Sequence, residues 1–334
     1  MTDMSATGDP AADVWSTDVW STDVWAMLDA ASRLQQYSPS SMIPNLDFEL
    51  NRYSTVSAAV RRSHPPIVAH YGPHPSETID IYGPYPSETI DIDSSYPPET
   101  IDINGPYPSK TLDIDGPTSG RSPLATVVYF HGGYWQDLGK AQSAFMVADL
   151  CALGYRVAIV DYELAPYRAI SSIIDQCIAA TRLIVQQGVT LGAGGPIIVA
   201  GSSAGAHLAA HVCGTVDQVS AAVLLSGIFD LRPLVSTPIN HALGLNMQQA
   251  AQLSVHPSQW TRVGRLPILV AVGQIETDEF IRQSAGLAHM ASGHGHPVTD
   301  VIVQGRNHFD LPFDLGRADT VLGNAVQSLT ESLR

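Results

Sequence analysis

Pro196-Ile197-Ile198-Val199-Ala200-Gly201-Ser202-Ser203-Ala204-Gly205-Ala206-His207-Leu208 is the stretch on which the reading of this chain turns. The apolar run 196–200 predicts a buried strand, and the small and apolar residues over 206–213 predict a helix. Between them stands Gly-x-Ser-x-Gly, whose small residues permit a turn sharp enough to lift one hydroxyl above a sheet edge. Ser203 carries that hydroxyl, and Ser202, in the tolerant second position, is expected to point elsewhere. The pattern alone is weak. The strand before it and the helix after it are the context it requires.

Working upstream, Thr126-Val127-Val128-Tyr129-Phe130 reads as a second buried strand that runs into His131-Gly132-Gly133-Tyr134-Trp135. Paired glycines after a strand let backbone N–H groups approach a substrate oxygen closely, as an oxyanion hole requires. The donors expected are Gly133 and Gly132, together with Ala204, the residue after the serine. A tight turn that uses glycine only for its backbone angles is the plainer alternative.

A serine nucleophile needs a base, and the base needs an orienting acid. Working downstream, Leu266-Pro267-Ile268-Leu269-Val270-Ala271-Val272-Gly273 reads as a strand, followed by an acidic loop holding Glu276, Asp278 and Glu279. Residues 298–303 form the next predicted strand, with Asn307-His308-Phe309 just beyond it. His308 is the base expected. Any of the three carboxylates could serve it, and Glu276 is favoured over Asp278. His294 and His296 lie in a Gly-rich turn and are expected to be solvated; two loop histidines do not make a metal site.

Taken together, these motifs resemble the arylformamidase (kynurenine formamidase) branch of the α/β-hydrolases, near the hormone-sensitive-lipase-like esterases. Those esterases carry a third glycine after His-Gly-Gly, where this chain has Tyr134-Trp135. The resemblance extends through Asp161-Tyr162-Glu163-Leu164-Ala165-Pro166, Ser226-Gly227-Ile228-Phe229-Asp230-Leu231-Arg232-Pro233 and Glu279-Phe280-Ile281-Arg282-Gln283-Ser284. Upstream, Gln36-Tyr37-Ser38-Pro39-Ser40 and Arg52-Tyr53-Ser54 resemble the family's N-terminal arm, so the similarity covers roughly residues 34–330. Ser202 departs from the family's usual His before the nucleophile, and Glu276 from its usual Asp.

The resemblance implies an α/β-hydrolase fold and hydrolysis of N-formyl-L-kynurenine to kynurenine and formate, with no cofactor and no metal. Tyr134 and Trp135 are the nearest aromatic candidates for a wall against a flat anilide, with core packing as the alternative for Trp135. A carboxylesterase or amidase of secondary or xenobiotic metabolism would use the same three groups. A catalytically silent binding protein is the alternative from a different class, and the intact serine, histidine and glycines argue against it.

Composition sets the outer limits. The 334 residues carry a formal net charge of −15, which argues against nucleic acid and anionic membranes as partners and leaves a small molecule as the expected one. A homo-oligomer is compatible with the sequence. Arg168, Arg232 and Arg282 are candidate local cations, each expected instead to form a salt bridge. Three cysteines, Cys151, Cys177 and Cys213, in apolar surroundings suggest free thiols and a cytoplasmic protein. The N-terminus shows no basic and apolar leader pattern, and no apolar run reaches the roughly 20 residues of a membrane span.

The first third is repetitive. Asp-Val-Trp occurs three times between Asp13 and Trp25, and an eleven-residue unit occurs four times, starting at Tyr71, Tyr82, Asp93 and Asn104. Its Thr-Ile-Asp-Ile core alternates as a strand does, between turns marked by Gly-Pro and Tyr-Pro. One copy is expected in the sheet, with the others looped out or forming added hairpins. The division expected is an extension and arm over 1–70, the repeats over 71–115, and a mostly parallel α/β catalytic domain over 116–334. Within that domain, a cap over about 229–262 is expected to shape and dehydrate the pocket.

Overall fold

The structure, a computed structural model, describes residues 24–83, 123–190 and 195–334. An N-terminal arm comes first, with helices α1 (Ala30–Gln36) and α2 (Leu46–Ser63). Asp29 caps α1 through the N–H of Ser32, and Asn45 caps α2 through that of Phe48, so the arm has its own start signals. Strands β1 (Ile67–His70) and β2 (Thr78–Tyr82) follow, and then β3 (Thr126–Phe130), α3 (Val147–Ala152), β4 (Arg156–Val160) and α4 (Ile170–Thr190). The C-terminal half supplies β5 (Ile197–Ser202), α5 (Ala204–Thr215), β6 (Val219–Leu225), α6 (Asn240–Leu243) and α7 (Met247–Leu253). It closes with β7 (Ile268–Ile275), α8 (Asp278–Gly293), β8 (Val298–Asn307) and α9 (Val321–Ser332).

These strands form one sheet in the order β1-β2-β4-β3-β5-β6-β7-β8. The first two run antiparallel to their neighbours, and every pair from β4 to β8 is parallel. Valine- and isoleucine-rich central strands suit a parallel sheet buried on both faces. Alternate residues then divide between two cores. Val128 and Phe130 of β3 face α4, α5 and α8, whereas Val127 and Tyr129 face α2, α3 and α9.

The first repeat copy supplies β2, pairing Ile79 with Val160 and Ile81 with Ala158. Its Asp80 is fully buried, held by Arg61 of α2, by Lys140 Nζ at 2.9 Å and by the Tyr82 hydroxyl at 3.3 Å. Arg61 also donates to the Tyr82 hydroxyl at 2.9 Å. Every copy carries the Thr-(Ile or Leu)-Asp-Ile core, but the residue after it is Tyr82 in the first copy and Asp93, Asn104 and Asp115 in the rest. Only the copy that forms β2 is followed by a tyrosine, and its phenol joins this buried pair. The later copies beyond Gly83, and the Asp-Val-Trp units before Val24, lie outside the described residues.

Two glycines hold β5, α5 and β3 together. A Cβ on Gly201 would sit 2.2 Å from Gly205 O, and one on Gly205 would sit 2.0 Å from Phe130 O. Both are far inside van der Waals contact with backbone. The Gly-x-Ser-x-Gly glycines are therefore packing requirements as well as turn residues.

Candidate active site

Ser203 sits between β5 and α5 with φ 58° and ψ −123°. An L-residue rarely adopts this conformation, and here it is fixed from both sides: Ser203 N–H donates to Leu225 O at 2.8 Å, and Ser203 O accepts from Ala206 N–H at 3.0 Å. The sheet end thus presents the serine on a rigid, strained turn. Helix α5 starts at Ala204, two residues earlier than the sequence suggests.

His308 lies just beyond β8, and its Nδ1–H donates to Glu276 Oε2 at 2.7 Å. A carboxylate at Nδ1 makes that nitrogen the protonated one and leaves Nε2 as the basic lone pair. Both groups are buried, and the imidazole packs edge-on against Phe280 with centroids 4.7 Å apart. The other carboxylate oxygen, Oε1, accepts from Gly273 N–H at 2.9 Å and from the hydroxyl of Ser226. Ser226 is fully buried at φ 46°, a second left-handed residue committed to this one contact. Asp278 is exposed in the first turn of α8, and Glu279 turns to the arm, so the carboxylate that meets His308 is Glu276.

Ser203 and His308 both line a cavity of about 310 Å³, together with Gly132, Gly133 and Tyr134. No hydrogen bond joins Ser203 Oγ to His308 Nε2. Gly132 approaches the serine closely: a Cβ there would lie 3.3 Å from Ser203 Cβ and 3.1 Å from Ser202 O. Gly133, Tyr134 and Trp135 have φ of 98°, 53° and 59°, three consecutive residues with positive φ. Among the described residues, the N–H groups of Gly132, Gly133 and Ala204 donate to no protein acceptor.

Two expectations need correction. Trp135 does not line the cavity; it is sealed in the core, its ring edge-on to His207 at 5.1 Å. Tyr134 alone of the pair reaches the lining, with its hydroxyl donating to Tyr37 O. Ser202, expected to point elsewhere, contributes to the lining as well. The two rings meet edge-on with centroids 6.3 Å apart, Trp135 on the core side.

The arm was missed as part of the site. Tyr37, Ser38, Pro39, Ser40, Leu46, Leu50 and Tyr53 all line the cavity, whereas residues 229–262 contribute Ile239. Tyr37 is pinned by its hydroxyl to Glu279 Oε2 at 2.5 Å, and Glu279 N–H donates to Gln36 Oε1 at 3.1 Å. Segment 279–284, where the family resemblance was noted, is thus the anchor of the arm. Polar residues on a short segment with no periodicity gave no other signal.

The remaining candidates lie elsewhere. Arg168 pairs with Glu163, Arg232 with Asp230 at 2.9 Å and Arg282 with Glu279 at 2.7 Å, and none lines the cavity. His294 is exposed, while His296 is half-buried and accepts from Leu266 N–H at 3.0 Å. Cys151, Cys177 and Cys213 are free thiols, and burial pushes those of Cys151 and Cys213 up to about 11 and about 12. Among the described residues, no helix is long and apolar enough to cross a membrane.

A family model for the alpha/beta hydrolase fold matches residues 127–309. The chain belongs to the α/β-hydrolase family. Among relatives of this α/β-hydrolase, the kynurenine formamidase of Salmo salar is 34% identical over 198 residues, covering 55% of this chain and 66% of that protein. The kynurenine formamidase of Danio rerio is 32% identical over 197 residues, with the same coverage. The match therefore spans just under two thirds of the length of these relatives. A Pyrobaculum calidifontis esterase structure, 18% identical, aligns with TM-score 0.57 over 92% of this chain and 98% of its own, a likeness of fold.

Proposed function

We propose that this α/β-hydrolase is an arylformamidase that cleaves N-formyl-L-kynurenine to L-kynurenine and formate. The observation that carries the reading is the Glu276–His308 pair, 2.7 Å apart, opening on the same cavity as the strained Ser203. Similarity to two fish kynurenine formamidases supports the substrate.

In this reading Ser203 Oγ attacks the formyl carbon while His308 Nε2 takes its proton. Glu276 stabilises the imidazolium that forms and holds its ring plane. The tetrahedral oxygen turns toward the N–H groups of Gly132, Gly133 and Ala204, each donor lowering the barrier by about 3–4 kcal/mol. His308 then gives its proton to the aniline nitrogen as the C–N bond breaks. A water, deprotonated by the same nitrogen, attacks the formyl-serine and releases formate. The test is turnover of N-formyl-L-kynurenine against p-nitrophenyl acetate. A kcat/KM at least tenfold higher for the formamide supports the reading, and hydrolysis of the ester alone overturns it in favour of a carboxylesterase.

A further inference from the structure

The cavity contains two phenols with no assigned task. Tyr53 of α2 and Tyr129 of β3 both line it, and both pack on Phe145, with centroids 4.9 Å and 6.4 Å away. Tyr53 is 8% exposed and Tyr129 2%. Among the described residues neither hydroxyl makes a hydrogen bond, yet neither oxygen is sealed away from the cavity. A hydroxyl that opens on a cavity and makes no protein hydrogen bond is available to a ligand there, and Tyr53 and Tyr129 line the same cavity as Ser203.

The surroundings define what that ligand presents. Burial raises both phenols, Tyr53 further raised by its neighbour Tyr129, so both remain protonated donors at any working pH. The lining holds no lysine or arginine, and the carboxylate of Asp137 stands at its exposed rim. A substrate carboxylate would find no counter-charge here, whereas a neutral carbonyl oxygen accepts two hydrogen bonds without needing one.

We propose that Tyr53 and Tyr129 form a subsite that hydrogen-bonds a neutral carbonyl oxygen of the substrate, the aryl ketone beside the scissile formamide. This rests on the formamidase reading and specifies how the site would tell an ortho-acyl anilide from a plain one. The two hydroxyls are specificity groups, placed by α2 and β3 against a shared Phe145 wall.

Tyr53→Phe, Tyr129→Phe and the double variant test this, because each removes one oxygen and keeps the ring packing. Each is assayed on ortho-acetylformanilide against formanilide, and on 2-acetylphenyl acetate against phenyl acetate. For each lost hydroxyl, kcat/KM should fall about tenfold on the ketone-bearing member and less than about twofold on its partner. Both members are read on one protein sample, so partial unfolding cancels in the ratio. Equal loss on both members, or loss on neither, overturns the subsite. If the esters show the ketone preference but neither formamide is cleaved, the subsite stands and the formamidase reading falls; no turnover of any of the four overturns both.

Discussion

Shortening the acid of the pair by one methylene, in Glu276→Asp, isolates its contribution to the reaction. The carboxylate retracts by about one C–C bond, roughly 1.5 Å, so the 2.7 Å contact to His308 Nδ1 opens to about 4 Å, beyond hydrogen-bond reach. A charge-assisted hydrogen bond of this kind is worth about 1.5–3 kcal/mol, which converts to a fall in kcat of about 10- to 150-fold. The anchors on the other oxygen, Gly273 N–H at 2.9 Å and the Ser226 hydroxyl, would pull the shortened side chain further from the imidazole. KM should change little, because the cavity lining does not include Glu276. Glu276→Gln should cost more, about 10⁴-fold, because an amide cannot stabilise the imidazolium and can hold it in the wrong tautomer. Asp278→Asn, at an exposed position in α8, serves as the control and should match wild type. Steady-state kcat and KM on N-formyl-L-kynurenine, with thermal melts to establish folding, decide the matter. A folded Glu276→Asp within twofold of wild type, or an Asp278→Asn as impaired as it, would refute the assignment of the acid.

Further outcomes follow from the scaffold. Asp80→Asn leaves the buried Arg61 and the half-buried Lys140 against an uncharged partner and should destabilise the fold by about 3–5 kcal/mol, read by urea denaturation. An unchanged midpoint would mean the pair is not buried as described. Gly205→Ala drives a Cβ to 2.0 Å from Phe130 O and should cost at least about 3 kcal/mol or yield no folded protein. A stable, active Gly205→Ala variant would contradict the packing of α5 on β3. Burial holds His207 well below its ordinary value and depresses His211 too, so the unfolded chain binds protons that the folded one does not. Stability should therefore be full above about pH 6.5 and fall as pH drops below it. Melts between pH 7.5 and 5.5 that do not move would exclude this linkage.

Much of the catalytic end was legible because its chemistry is local in sequence. Strand β3 falls where its apolar run lies, and Ser203 and the glycines around it declare a turn by composition alone. The His308 position follows from its place after the last strand. What escaped were contacts made across the chain. Among three carboxylates the sequence favours Glu276, and the turn after β7 buries Glu276 and exposes Asp278. Ser226 carries no local mark, since its role exists only when β6 and β7 lie side by side. Trp135 neighbours Tyr134 in sequence and meets its ring edge-on, yet it is fully buried, a difference that adjacency in sequence does not reveal. The arm, separated from Glu279 by more than two hundred residues, was visible only as a family likeness.

Single-turnover analysis of N-formyl-L-kynurenine tests the proposal that Ser203 is the nucleophile of an arylformamidase. Wild type and Ser203→Ala would be mixed with substrate in excess enzyme, with quenched samples examined by intact-protein mass spectrometry. The expected result is kynurenine release by wild type with a transient formyl adduct that maps to Ser203, and a loss of about 10⁴-fold or more in the variant. Kynurenine released at the wild-type rate by Ser203→Ala, or an adduct on another residue, would contradict it.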